Sequence, residues 1–162
     1  MHTLGQKVLF PIDSTEGCEK GFRWYIKNYY QKGDEIILAY ILSPSFTKGI
    51  HALDGDGHSK GLNDDVIAAC RTGAVEARHT FEGYTQLCNE KGIDHRTTIL
   101  YGTKIGRTIV RAIQENMVDS VVLGFHSMGR VKRAFLGSSS GYVVKRSSVP
   151  VVIVPPINEA TT

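Results

Sequence analysis

The stretch Val121 to Val154, VVLGFHSMGRVKRAFLGSSSGYVVKRSSVPVVIV, decides how the rest of the chain is read. Val121-Val122-Leu123 is a short apolar run of the kind buried as a strand, and it breaks at Gly124 into a loop carrying Ser127 and Gly129. Arg130, Lys132 and Arg133 follow, and Gly137-Ser138-Ser139-Ser140-Gly141 then opens a second apolar-periodic segment. Val149 to Val154 closes the stretch as a further apolar strand.

The junction at Gly137 has the composition of an anion cradle. Glycine lets the backbone approach a ligand, and a helix start presents unpaired N–H groups and the positive end of its dipole. The hydroxyls of Ser138 and Ser139 suit either a helix cap or a phosphate oxygen. Between Ser120 and Asn158 there is no Asp or Glu, whereas Arg130, Lys132, Arg133, Lys145 and Arg146 are basic, so the local field favours an anionic ligand.

Upstream, the chain alternates strands and helices. Lys7 to Ile12 is an apolar strand that stops at Asp13, and Ser14-Thr15-Glu16 supplies capping side chains for a helix with Cys18, Phe22, Tyr25 and Tyr29 on one stripe. Glu35 to Leu42 is apolar enough to be buried on both faces. Ser43 to Asn63 has no periodicity and reads as a long loop, with His51, Asp54, Asp56 and His58 as solvated loop residues without ligand spacing. Asp64 to Lys91 is a long amphipathic helix, with Tyr84 among its apolar stripe, ended by Gly92. Asp94 to Tyr101 alternates like an edge strand. Gly102-Thr103 starts a helix whose inner face is Ile105, Ile109, Ala112, Ile113 and Met117. Asp119 to Gly124 and Val149 to Val154 are the fourth and fifth strands.

This pattern predicts an α/β fold: one open five-stranded parallel sheet with helices on both faces. Right-handed crossovers make 3-2-1-4-5 a natural strand order, with strands one and four adjacent where the order reverses. Ligands of such sheets sit at the carboxyl ends of the strands at that reversal. The Pro11-Ile12-Asp13 turn and the Gly124 to Gly129 loop would then share one crevice. A carboxylate at the end of a buried strand caps a helix or accepts hydrogen bonds from a ribose or base; both roles are open to Asp13.

The chain resembles the nucleotide-binding branch of the universal stress protein family. That branch carries, after its fourth strand, Gly, two residues, Gly, nine residues, then Gly-Ser or Gly-Thr. Here the series is Gly124, Ser127, then Gly137-Ser138, with the spacing kept and serine in place of the middle glycine. Val131-Lys132-Arg133, Phe135-Leu136-Gly137-Ser138, Tyr142-Val143-Val144 and Val149 to Val154 are similar to the family's ending, and the strand ending at Asp13 is similar to its beginning. The resemblance covers nearly all of residues 1–162 as one domain, with a loop at 43–63 and a short tail at 156–162.

The resemblance implies a Rossmann-like sheet of the kind shared with adenine nucleotide alpha hydrolases, binding ATP, with Mg²⁺ as an optional companion. Ile41 and Pro11 would flank the adenine, Asp13 would hold ribose or base, and Ile12 counts with them among the cofactor-binding residues. Backbone N–H groups at Gly124, Ser127, Gly137, Ser138, Ser139 and Ser140 would hold phosphates; Gly129 lies in the same loop, and Arg130 adds charge. If position 127 has positive φ, serine costs about 1–2 kcal/mol; if φ is negative, serine keeps its N–H and adds a hydroxyl. The role implied is a stress-response regulatory module, signalling through occupancy and dimerisation. The alternatives are a nucleotide-free interaction dimer, with Ser127 as the sign of loss, and a weak ATPase or self-phosphorylating protein with an acceptor among Ser138 to Ser140. Pairing of the last strands, residues 149–154, implies a homodimer with unidentified protein partners.

Composition bounds the rest. At 162 residues, with 41% hydrophobic and 22% charged residues, the chain has the size and make-up of one globular domain, and a net charge of +3 does not by itself call for nucleic acid. No run is long enough to span a membrane, and the N-terminus lacks the features of a secretory signal, so a cytoplasmic protein is expected. Cys18, Cys70 and Cys88 are odd in number and lie in helical patterns, as reduced, partly buried thiols do. No Walker lysine motif or second acidic cluster marks a hydrolase, no metal site is expected, and His126 stands as a lone loop histidine.

Overall fold

A computed structural model of the chain describes residues 5–43, 60–124 and 137–156. These residues form β1 (Lys7–Ile12), α1 (Glu16–Asn28), β2 (Glu35–Leu42), α2 (Lys60–Lys91), β3 (Asp94–Tyr101), α3 (Ile105–Glu115), β4 (Ser120–Leu123), α4 (Ser138–Arg146) and β5 (Val151–Ile153). The strands make one five-stranded parallel sheet in the order β3-β2-β1-β4-β5. Both the strand order and the reversal between β1 and β4 are those expected.

Two apolar layers hold the sheet between its helices. On one face Phe10, Ile12, Ile36 and Leu38 pack against Phe22 and Tyr25 of α1 and Phe81, Tyr84 and Cys88 of α2. On the other, Leu9, Ile37, Ala39, Val121 and Leu123 pack against Ile109, Ala112 and Ile113 of α3 and Val143 of α4. Successive residues of β1 and β2 thus feed opposite layers, which is why these central strands read as unbroken apolar runs. Phe10 is fully buried, with ring centroids 5.0 Å from Phe22 and 5.7 Å from Tyr25. The contact with Phe22 is edge-on, a geometry that adds to the area it buries.

The ends of the elements follow local chemistry. Thr15 caps α1 by accepting a hydrogen bond from the Cys18 N–H at 3.3 Å, and Glu16 and Glu19 sit in the first turn, where the helix dipole favours them. Gly92 ends α2 at φ +63, with the Ile93 N–H reaching back to the Cys88 carbonyl at 2.9 Å. Asp34, 7% exposed, accepts from the Gln6 and Gln31 N–H groups and so ties the entry of β1 to the turn before β2.

Several boundaries differ from expectation. α2 begins at Lys60 rather than Asp64, so the last part of the expected loop is helical, while residues 44–59 lie outside the described set. α3 begins at Ile105 and ends at Glu115, which leaves Met117 past the helix at φ +48 and 76% exposed instead of on the inner face. Tyr29 likewise follows the end of α1 and is 56% exposed. In both cases the apolar periodicity ran on past the last helical residue: Tyr29 is the C-cap of α1, its N–H on the Tyr25 oxygen, and Met117 follows Asn116, the C-cap of α3. β2 is fully buried only from Ile36 to Ala39, because Tyr40 to Leu42 emerge at the carboxyl edge. β4 and β5 are shorter than expected, Ser120–Leu123 and Val151–Ile153.

Candidate functional site

The carboxyl ends of the strands are the natural place to look, and the register says which residues arrive there together. Ile12 pairs with Tyr40 of β2, so Asp13 and Ile41 emerge side by side one step beyond. Between β1 and β4 the pairing runs only through Val8–Ser120 and Leu9–Val121. It stops before Pro11, whose ring leaves no N–H for a ladder. The sheet is therefore unlaced at its carboxyl edge at the point where the strand order reverses.

Three side chains hold the Pro11–Asp13 turn in shape. The Asp13 Oδ1 accepts from the Thr15 N–H at 2.8 Å and from the Thr15 hydroxyl at 2.6 Å. The Tyr84 hydroxyl donates to the Asp13 main-chain oxygen at 2.9 Å, and the Cys18 thiol donates to the Pro11 oxygen at 3.8 Å. Burial pushes the Cys18 thiol up to about 12, so it stays protonated as a donor at neutral pH. Burial also raises Tyr84 above the usual phenol value. Asp13 thus takes part in capping, but through Thr15: the cap itself is the threonine, and the carboxylate sits behind it.

α4 supplies the other half. Gly137 is its N-cap, with φ −55 and ψ 158, and the first helical bond runs from the Gly141 N–H to the Gly137 oxygen at 2.9 Å. The N–H groups of Ser138, Ser139 and Ser140 come before that bond and point out of the helix start. No acidic residue lies in this turn, and Lys145 and Arg146 lie in the last turn. Gly137 and Ser138 are exposed; Ser139 and Ser140 are half-buried. α4 and Ile41 lie on the same face of the sheet, since Ile41 and Val143 join the same apolar layer. Gly124 is buried against α1: a Cβ there would lie 3.4 Å from the Cys18 Cα, and one on Gly21 would lie 3.3 Å from the Gly124 Cα. The end of β4 is glycine because α1 crosses it closely, a packing reason beside the one read from the sequence. Ser127, Gly129, Arg130 and His126 lie outside the described residues.

A cleft of about 400 Å³ opens on the opposite side of the turn, between Asp13, Thr15 and Glu19 and the α2 residues His79, Glu82 and Tyr84. None of its lining comes from α4. Its carboxylates outnumber its one histidine, which is itself paired with Glu82 at 3.2 Å, so an anion is drawn away from it and toward the α4 start. Among the described residues no group of three His, Cys, Asp or Glu side chains is placed to hold a metal ion, and no helix is long and apolar enough to cross a membrane.

Sequence reasoning brought Pro11, Ile12, Asp13, Ile41, Gly124 and Gly137 to Ser140 to one edge of the fold. It read Thr15 only as a helix cap and missed Tyr84 and Cys18 as supports of the Asp13 turn. An Asp followed two residues later by Thr is a recognisable local hydrogen-bonded turn, so this second role of Thr15 could have been found. Tyr84 stands 71 residues from its partner, and nothing in a helical stripe signals such a bond.

A doubly wound parallel sheet with an acidic first-strand turn and an open glycine-serine helix start beside its switch point defines a Rossmann-like α/β domain. The family model of the universal stress proteins matches residues 5–155, and the chain belongs to the universal stress protein family. It is 24% identical over 159 residues to Universal stress protein MJ0577 of Methanocaldococcus jannaschii, covering 95% of this chain and 97% of that protein. The solved structure of MJ0577 superposes with a TM-score of 0.74 at 22% identity, covering 97% of this chain and 100% of that one. A universal stress protein family protein of Arabidopsis thaliana, solved with AMP bound, gives a TM-score of 0.67 at 17% identity over 97% of this chain and 95% of that one. The Archaeoglobus fulgidus universal stress protein in complex with dAMP gives 0.59 at 16% identity over 94% and 99%.

Proposed function

We propose that the protein is a regulatory module of the universal stress type that binds ATP across the carboxyl ends of β1 and β4. The observation that carries this reading is the open N-terminus of α4 on the same face as Ile41, beside the unlaced β1–β4 edge. Pro11 and Ile41 flank the adenine, Ile12 anchors their turn in the layer under α1 and α2, Asp13 holds ribose or base, and the N–H groups of Gly137 to Ser140 take the phosphates, joined by Gly124, Ser127 and Gly129 and by charge from Arg130. Mg²⁺, where present, travels with the phosphates. The AMP and dAMP complexes of proteins with the same fold support an adenine nucleotide as the ligand class. Serines at the helix start and a carboxylate turn supply binding and orientation; catalysis is not part of this reading. Addition of Mg-ATP to ¹⁵N-labelled protein is expected to shift the amide resonances of Ser138 to Gly141 and of Asp13 to Thr15, with saturation in the micromolar range.

Occupancy is read out through a homodimer in the cytoplasm. β5 is the last strand of the sheet, paired on one side to β4, and its three residues are half-buried rather than sealed. An open apolar edge of this kind pairs with a second copy across a two-fold axis. Light scattering at micromolar concentration is expected to give a dimer mass, and a monomer mass would remove dimerisation from the account.

A further inference from the structure

We propose that Tyr84 is a positioning residue for the nucleotide site, acting from α2 through the main chain of Asp13; the inference rests on the ATP-binding reading above. Tyr84 is 5% exposed, and its ring packs edge-on against Phe22 with centroids 5.2 Å apart. Phenylalanine would serve that packing equally well. The hydroxyl is what differs, and a buried hydroxyl is costly unless it is hydrogen-bonded. Here it reaches across to the main-chain oxygen of Asp13 at 2.9 Å, a bond between segments 71 residues apart.

That bond falls on the one turn whose shape the site depends on. The Thr15 N–H and hydroxyl set the Asp13 carboxylate from one direction, and the Cys18 thiol holds the Pro11 oxygen two residues earlier. With Tyr84 holding the Asp13 oxygen and Cys18 the Pro11 oxygen, the peptide planes that follow these two residues are held from α2 and α1 together. The direction of the Asp13 Cα–Cβ bond is set before a ligand arrives, and the ligand does not have to order the turn. Among the described residues Tyr84 lines the acidic cleft on the other side of the turn, which takes no lining from α4. It acts through the main chain of the Asp13 turn and not through the ligand, which makes the inference testable by coupling.

The test is a double-mutant cycle on the full chain, reading the Mg-ATP dissociation constant by calorimetry and the melting temperature by circular dichroism. Tyr84→Phe keeps the ring, and Asp13→Asn keeps an oxygen for the Thr15 hydrogen bonds. Tyr84→Phe is expected to weaken Mg-ATP binding about three- to ten-fold, the factor an ordinary hydrogen bond is worth. In the Asp13→Asn background the same change is expected to alter affinity by less than about two-fold, because the group that Tyr84 positions is already gone. A tyrosine of merely structural value would lower the melting temperature and leave the dissociation constant where it was. Wild-type affinity in Tyr84→Phe, or a full three- to ten-fold factor that persists in the Asp13→Asn background, overturns the inference while leaving the ATP-binding reading intact. A wild-type protein that does not bind Mg-ATP up to millimolar concentration removes both.

Discussion

Gly106→Val is expected to cost stability and nucleotide affinity together, because this residue sets where the N-terminus of α4 lies. A Cβ at position 106 would stand 2.9 Å from the Ser139 main-chain oxygen and 2.9 Å from the Tyr142 Cβ, closer than such atoms approach. Neither atom is the free end of a side chain, so α4 must move away from α3 or α3 must turn. Overpacking of this kind costs about 1–3 kcal/mol, and valine adds two methyl groups to the same contact. For a domain of this size that lowers the melting temperature by about 2–4 °C per kcal/mol. The same movement displaces the Ser138 to Ser140 amides, so affinity for Mg-ATP is expected to fall more than about ten-fold, as misplacement of a positioned group on the order of an ångström does. Gly83→Ala is the contrast. Gly83 is exposed within α2 and a Cβ there meets no described atom within 4 Å, so alanine is expected to be neutral or to stabilise by up to about 1 kcal/mol. Thermal melts and calorimetric titration of the two variants measure both effects.

Gly137→Val separates binding from folding. Gly137 has an ordinary extended conformation that any residue adopts, is exposed, and a Cβ on it would meet no described atom within 4 Å. The fold loses only the preference of an N-cap for glycine over valine, on the order of 1 kcal/mol. The isopropyl group, however, stands at the head of the amides that are to receive phosphate. Binding of Mg-ATP is expected to fall more than about a hundred-fold while the melting temperature moves by a few degrees at most. A variant that binds ATP as the wild type does would remove α4 from the site and leave Gly137 as a cap and nothing more.

The contrast between these two glycines shows how far the sequence carries. Gly137 was legible because glycine, serines and a following apolar period mark a helix start, and the strand order was legible because apolar runs alternating with helical stripes leave few topologies. Asp13 was legible because it ends a buried strand. Gly106 was not, because its reason is another helix that crosses it, and a contact between α3 and α4 leaves no local pattern in either. The same holds for the close approach of Gly21 to Gly124, whose packing reason is not in the sequence though Gly124 itself was read from it, and for the Tyr84–Asp13 hydrogen bond. Element ends were misread where an apolar residue followed the last helical residue: Tyr29 is the C-cap of α1, its N–H still on the Tyr25 oxygen, Met117 follows the C-cap of α3, and both face solvent. Local chemistry sets the elements, and close approaches between them, which support the site, are settled only in the folded chain.

The most direct test of the account is the Mg-ATP titration of ¹⁵N-labelled wild-type protein, followed amide by amide. The account predicts saturable shifts confined to both halves of the site: Ser138 to Gly141 at the start of α4, Asp13 to Thr15 at the end of β1, and Ile41 at the end of β2. Shifts that appear only around His79 to Gln86, in the acidic cleft on the far side of the turn, or no shifts up to millimolar ATP, would contradict it.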